Sequence, residues 1–237
     1  MSDLKYKRIL LKLSGEVFAG EEKRGIDFEE ALEVAKEIAE VQKMGVEIAI
    51  VVGGGNLFRG YYGTREGMDQ VTGDYIGMIG TIMNALALQN AIETYGVETR
   101  VMSALDIHKV AEPYIRRRAL RHMEKGRIVI CASGSGNPFF TTDTAGVLRG
   151  AELACDVMLK ASNIDGVYSA DPKKDENAEK FDQLSYDEVV ANELRALDLT
   201  ATTLAKERSL PIVVFDFHEV GSLQKIVQGE NIGTKIS

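Results

Sequence analysis

Val46-Glu47-Ile48-Ala49-Ile50-Val51-Val52-Gly53-Gly54-Gly55-Asn56-Leu57-Phe58-Arg59-Gly60 decides how the rest of the chain is read. Its first half is an apolar run of strand length, and three glycines follow at its carboxyl end. A short, uninterrupted apolar strand of this kind is buried on both faces, as in a parallel sheet covered by helices. The glycines leave backbone N–H groups open to close approach, and an anion is the natural guest. Arg59 adds a permanent positive charge with a fork of donors suited to phosphate. A turn that merely reverses the chain would use the same glycines, so the loop has to be weighed with what the other strand ends carry.

Outward from this stretch the apolar period alternates between strand and helix. Ile9, Leu10, Leu11 and Leu13 read as a first strand. Asp27-Phe28-Glu29-Glu30 reads as a helix cap with an acid three residues on, and Phe28, Ala31, Leu32, Ala35, Ile38 and Ala39 follow at helical spacing. A long helix carrying Met78, Ile82, Leu86 and Ile92 leads to a strand near Val97 to Met102. Then come a helix over about 112–124, the strand Ile128 to Cys131, a helix over about 142–153 and the strand Val157 to Leu159. A loop is expected to about Lys180, one or two helices to Arg208, and the strand Ile212 to Phe215. This alternation predicts an α/β fold with an open, mainly parallel central sheet sandwiched by helices, whose ligands bind at the carboxyl ends of strands. No repeat, low-complexity tract or linker divides the chain, and Asp171 to Lys180 reads as an exposed loop.

The 237 residues suit one α/β domain or two tightly fused lobes. The formal net charge of −8 argues against general nucleic-acid binding, so an anionic ligand must be captured by a local positive site. Cys131 and Cys155 lie in apolar surroundings with no second cysteine at metal-ligand spacing, which predicts free buried thiols in a reducing cytosol. No signal-peptide core follows Met1 and no run of about 18 apolar residues appears, so a cytoplasmic protein with no membrane partner is expected. The chain has no Gly-x4-Gly-Lys-Ser/Thr, and Phe58 and Phe139 occupy the third glycine position of Gly-x-Gly-x-x-Gly. A P-loop is thereby excluded and a Rossmann dehydrogenase disfavoured. His108, His122 and His218 are scattered, with neither metal spacing nor a neighbouring nucleophile.

Several strand ends carry one kind of chemistry. The first ends in Lys12-Leu13-Ser14-Gly15, where a lysine deep in an apolar run needs an anionic partner or must snorkel to the surface. The strand at Cys131 runs into Ser133-Gly134-Ser135-Gly136-Asn137-Pro138-Phe139-Phe140-Thr141-Thr142-Asp143. That segment offers a turn, an aromatic wall, two hydroxyls and an acid in the first helical turn. Asp143 by itself reads equally as a helix-dipole carboxylate. The strand at Leu159 ends in Lys160 and continues through Ser162-Asn163-Ile164-Asp165-Gly166-Val167-Tyr168 to Asp171-Pro172, a second lysine followed by a glycine turn and an aromatic.

In this order the segments at Lys12, Gly53 to Gly60, Gly73-Asp74, Gly136 to Asp143 and Asp165 to Pro172 resemble the bacterial uridylate kinases of the amino acid kinase superfamily. The resemblance runs from Tyr6 to Gly233-Thr234, and its most specific part is Gly-Asn-Pro-Phe-Phe-Thr-Thr-Asp. It implies an eight-stranded open sheet in a single domain over 1–237, with a UMP-binding half at about 1–155 and an ATP-binding half at about 156–237. The first strand and the glycine loop serve both halves. The resemblance further implies that Lys12, Leu13, Ser14, Gly15, Gly55 and Arg59 hold the ATP phosphates, with Ser162, Asn163, Tyr168 and Asp171 around the adenosine. Uridylate would lie against Gly54, Asp74 and the run Ser135, Gly136, Asn137, Pro138, Phe139, Phe140, Thr141 and Thr142. Many members carry threonine where Ser135 and Ser162 stand, and the hydroxyl is kept.

The implied reaction is transfer of the γ-phosphate of ATP to UMP, with Lys12, Arg59, Asp143 and Lys160 as the catalytic set. It suits the residues, since an ionised phosphate oxygen needs no catalytic histidine and two repelling polyphosphates need compensating charge. Mg2+ would be held mainly by the nucleotide, with Asp143 orienting the lysines and the metal's water shell. The resemblance also implies homohexamers activated by GTP and inhibited by UTP. Arg100 and Arg127, with the Arg116 to Arg121 helix, are candidates for that effector site, although a solvated helix face explains the run as well. Two rivals stay open: a carboxylate or carbamate kinase, which has no use for Phe139-Phe140, and a nucleotide sensor without turnover, which has no need to keep Lys12, Asp143 and Lys160 together.

Overall fold

The computed structural model describes residues 4–20, 22–58, 67–172, 174–194 and 196–237. At its centre β1 (Arg8–Leu13) pairs in parallel with β2 (Glu47–Val52) on one side and β6 (Val157–Ser162) on the other. Beyond β2 lie β5 (Ile128–Ala132), β3 (Thr99–Ser103) and the two-residue β4 (Glu112–Pro113). Beyond β6 lie β10 (Ile212–Asp216), β11 (Thr234–Ile236) and β9 (Gln183–Leu184), which completes a nine-stranded sheet among the described residues. Every ladder in it is parallel except β10 with β11. A separate antiparallel ribbon joins β7 (Val167–Tyr168) to β8 (Lys180–Phe181).

Side-chain alternation along β1 builds two cores. Ile9, Leu11 and Leu13 pack with α1 (Phe28–Lys43), the inward face of α2 (Gln70–Thr94) and α7 (Ser222–Gln228). Leu10 points the other way, with Met158 and Val51, against α3 (Arg116–Glu124), α4 (Thr142–Glu152) and α6 (Leu199–Arg208). The short α5 (Tyr186–Ala191) closes that side. All four of these β1 side chains are fully buried, each contributing ~1.5–3 kcal/mol of apolar transfer. Both cysteines are free and buried, and burial pushes the Cys131 thiol up to about 12.

Asp27 caps α1 as its sequence suggests, accepting from the Glu29 and Glu30 N–H groups. The helix expected over 112–124 starts only at Arg116. Pro113 cannot donate and pushes Glu112 towards extended backbone, so the pair joins the edge of β3 as β4. The sheet has nine strands among the described residues where the resemblance implies eight, and two of them, β4 and β9, are only two residues long. By length and composition alone α2 could cross a membrane, but its inward residues are core, packed on the sheet and α1.

Candidate active site

The register of β1 against β6 places Lys12 directly opposite Lys160, so both side chains leave the same face of the sheet. From β1 the chain turns outward to β2 on one side, while β6 and β10 lie on the other. The carboxyl ends of β1 and β6 therefore form the topological switch point, where ligands of open α/β sheets bind. The first turn of α4 hangs over this point, and its N-cap Thr141 accepts from the N–H groups of Asp143 and Thr144.

Asp143 thus sits between the two lysines. Its Oδ1 lies 2.8 Å from Lys12 Nζ and its Oδ2 2.5 Å from Lys160 Nζ. All three side chains are largely buried, and together they carry one net positive charge in an otherwise acidic chain. Burial works to raise the Asp143 carboxyl, but the two ammonium groups outweigh it and hold the group below its ordinary value. Lys160 is lowered by burial and by Lys12, against the opposing pull of Asp143.

Two groups that the sequence did not single out complete the arrangement. The Ala196 carbonyl accepts from Lys160 Nζ at 2.6 Å. Asp198, the N-cap of α6, accepts from Thr141 Oγ1 at 2.5 Å and from Thr144 Oγ1 at 3.1 Å, tying α6 to the start of α4. In sequence Asp198 is legible as a cap, but its reach to a threonine 57 residues away is not. Arg149 is buried with its guanidinium 3.9 Å from the Tyr114 ring centre, and it donates to the Gly134 carbonyl from behind the β5 loop.

Beside the triad lies a cavity of about 200 Å³. Gly54, Gly55 and Phe58 form one wall, Gly73, Asp74, Gly77, Met78 and Thr81 of α2 a second, and the β5–α4 loop a third through Gly134, Ser135, Asn137, Phe140, Thr141 and Thr142. Close approach demands glycine at two points. A Cβ on Gly54 would meet the Gly77 carbonyl at 2.6 Å, and one on Gly15 would collide with Asn56 Oδ1. Asp74 Oδ2 accepts from the Phe139 N–H at 2.8 Å, so this acid holds the loop as well as lining the cavity.

Of the expected uridylate residues, Gly54, Asp74, Ser135, Asn137, Phe140, Thr141 and Thr142 line the cavity, and Gly136, Pro138 and Phe139 do not. Phe139 adopts a left-handed backbone with φ +73° and is 67 % exposed, so of this pair Phe140 alone lines the cavity, together with Phe58 of the glycine loop. Gly136 packs on Ala104. On the other side of the triad, Leu13 ends β1 in the core and Ser14 caps the single 3-10 turn Gly15–Phe18. Ser162, Asn163, Tyr168 and Asp171 follow one another from the last residue of β6 to the loop beyond β7, outside the cavity lining. There Tyr168 Oη donates to Asp165, which also pairs with Lys180. Arg59 and Gly60 lie outside the described residues.

Arg100 and Arg127 sit at the amino ends of β3 and β5, the opposite end of the sheet from the cavity. Both meet Glu98, Arg127 at 2.6 Å and Arg100 at 3.4 Å. On α3, Arg118 pairs with Glu112 and Arg121 with Glu124, while Arg116 donates to the Glu152 carbonyl.

The chain belongs to the amino acid kinase family, whose sequence pattern it matches over residues 7–216. Among solved structures it resembles the UMP kinase of Bacillus anthracis, with 40 % identity and a TM-score of 0.95 over 98 % of this chain and 96 % of that one. The UMP kinase of Ureaplasma parvum matches with 30 % identity and a TM-score of 0.92, covering 99 % of this chain and 100 % of that one. The uridylate kinase of Archaeoglobus fulgidus has 29 % identity and a TM-score of 0.72, covering 97 % and 99 % respectively.

Proposed function

We propose that this chain is a UMP kinase, transferring the γ-phosphate of ATP to UMP to give UDP and ADP. The observation that carries the reading is the Lys12–Asp143–Lys160 triad at the switch point, next to a cavity walled by the glycine loop and the Gly-Asn-Pro-Phe-Phe-Thr-Thr-Asp segment. Likeness to named UMP kinases over nearly the whole chain supports the choice of acceptor.

In this reading an oxygen of the UMP phosphate attacks the γ-phosphorus while the bond from that phosphorus to the β-bridging oxygen breaks. The attacking oxygen is already ionised, so no proton has to be removed. What remains is to hold two mutually repelling polyanions in line and to neutralise the charge that spreads over the transferring group. Lys12 and Lys160 supply that charge, with Arg59 as the third cation, and Asp143 fixes the spacing of the two ammonium groups. Uridylate occupies the cavity against Gly54, Asp74 and residues 135–142. ATP lies across Gly15 and Gly55, with its adenosine towards Ser162, Asn163, Tyr168 and Asp171.

Magnesium enters as part of the MgATP substrate. Both Asp143 oxygens are taken by lysines, and the described residues contain no group of three metal-ligating side chains, a donor set suited to an ion carried on phosphate oxygens. We further propose a cytoplasmic homohexamer activated by GTP and inhibited by UTP, as the family resemblance implies. Tyr75, Ile79 and Met83, spaced one turn apart on α2 and 41–53 % exposed, offer an apolar face for self-association.

ADP release measured with UMP, CMP, aspartate, acetylglutamate and carbamate tests the reading. Turnover with UMP is expected. Turnover confined to a carboxylate or carbamate would replace the acceptor, and no turnover with any of them would favour a sensor.

A further inference from the structure

The two loops that flank the reaction centre leave neighbouring strands of the sheet. Gly53 to Gly55 follow β2 and Ser133 to Asn137 follow β5, with Val51 and Cys131 paired just before them. The Gly53 N–H still donates to the Leu13 carbonyl at 2.9 Å, and past that bond the two loops leave their strands. Both are held instead by one face of α2. Thr81 Oγ1 accepts from the Ser133 N–H at 2.7 Å and donates to the Met78 carbonyl, engaging the hydroxyl on both sides. Three residues on, Asn84 Nδ2 donates to the Gly53 carbonyl at 2.7 Å and to Asn56 Oδ1, and Asn56 donates back to Asn84 Oδ1.

These contacts are buried. Asn84 and Ser133 are fully buried, and Thr81 and Asn56 are 4 % and 5 % exposed. Ser133 is in the left-handed region at φ +65°, a conformation that persists in a non-glycine residue only when its surroundings determine it. Its own hydroxyl is held by Ser103 at 3.0 Å. Gly54 rests on the same helix face, against Gly77 and Thr81. An α-helix is rigid, and the rise from Thr81 to Asn84 is about 4.5 Å, so the two loops share one ruler.

We propose that Thr81 and Asn84 are positioning residues that set the distance between the glycine loop and the β5–α4 loop, acting on the rate of transfer through backbone placement. The proposal rests on the phosphoryl-transfer reading above. In-line transfer is sensitive to spacing, a misplacement of about 1 Å costing about 100-fold in rate. Buried polar groups whose hydrogen bonds are all engaged are a direct means of fixing a loop to that precision.

Thr81→Val keeps the side-chain volume and removes the acceptor for Ser133 N–H. Thr81 also lines the cavity, so the variant is expected to lower kcat by about tenfold or more, a larger factor than the change in the Kd of UMP measured by equilibrium dialysis. Thr81→Ser restores the hydroxyl and is expected to restore kcat. Asn84→Ala makes the same test from the glycine loop if Thr81→Val loses its circular-dichroism spectrum. Equal kcat for the valine and serine variants, or a loss in Thr81→Val confined to binding, would overturn the proposal, as would an unchanged kcat in Asn84→Ala. The comparison is run on whichever acceptor the wild type phosphorylates, so a different acceptor overturns the UMP reading and leaves the spacing test intact.

Discussion

Asp143 pairs with two buried ammonium groups, and in the proposed reaction it fixes their spacing. Lys12→Ala removes a charge needed most as the phosphoryl group moves, so kcat is expected to fall by about 100-fold or more with smaller changes in KM, measured by steady-state ADP release. An effect on KM alone would contradict this role. The pH dependence follows from the shifts. Lys160 titrates below an ordinary lysine, so the alkaline limb of kcat should lie below about pH 10.4, and Asp143→Asn, by removing the group that holds Lys160 up, should move that limb to lower pH. Asp143 has a depressed value, so its contribution to stability is present above about pH 4 and is lost as the pH falls through that depressed value. Thermal melts of wild type and Asp143→Asn should therefore draw together as the pH falls below about 4. Lys12 is conspicuous in sequence because a lysine interrupts an apolar strand. Asn84 and Asp198 are not, because an asparagine in a helix and an acid before one are common, and their partners are remote in the chain.

Among the elements, α2 and the glycine loop are in the most demanding contact. Gly54→Ala would drive a methyl group to 2.6 Å from the Gly77 carbonyl, backbone against backbone, where neither side yields by a rotamer change. We expect kcat/KM for UMP to fall by about 100-fold, with a thermal midpoint lowered by only ~2–10 °C, read by kinetics and calorimetry on one preparation. Wild-type kinetics in Gly54→Ala would mean that the loop is looser than its packing. The period of the apolar residues revealed the central strands and α1, α2 and α4, because burial on the sheet imposes it. It did not reveal β4, β9 or β11, whose two or three residues are too short to show alternation and depend on pairing with β3, β11 and β10 respectively. The 171–180 loop was legible as polar, and the ribbon that closes it was not.

At the scale of the molecule, the cavity and the Arg100–Arg127–Glu98 cluster occupy opposite ends of the sheet. If that cluster belongs to an effector site, GTP must compete with Glu98 for the arginines. Arg100→Ala and Arg127→Ala are then expected to abolish GTP activation and leave basal turnover largely intact, measured by ADP release with and without GTP. Activation unchanged in both would move the effector elsewhere, and loss of basal turnover would make the arginines structural. The switch point was legible in sequence from lysines and glycines at strand ends; which side chains complete it depended on long-range packing. The central claim is tested most directly by incubating the purified protein with Mg2+, UMP and ATP labelled in its γ-phosphate, then separating the nucleotides. The account predicts that the label moves into UDP with stoichiometric ADP. Label that stays in ATP, or that leaves it only as inorganic phosphate, would contradict it.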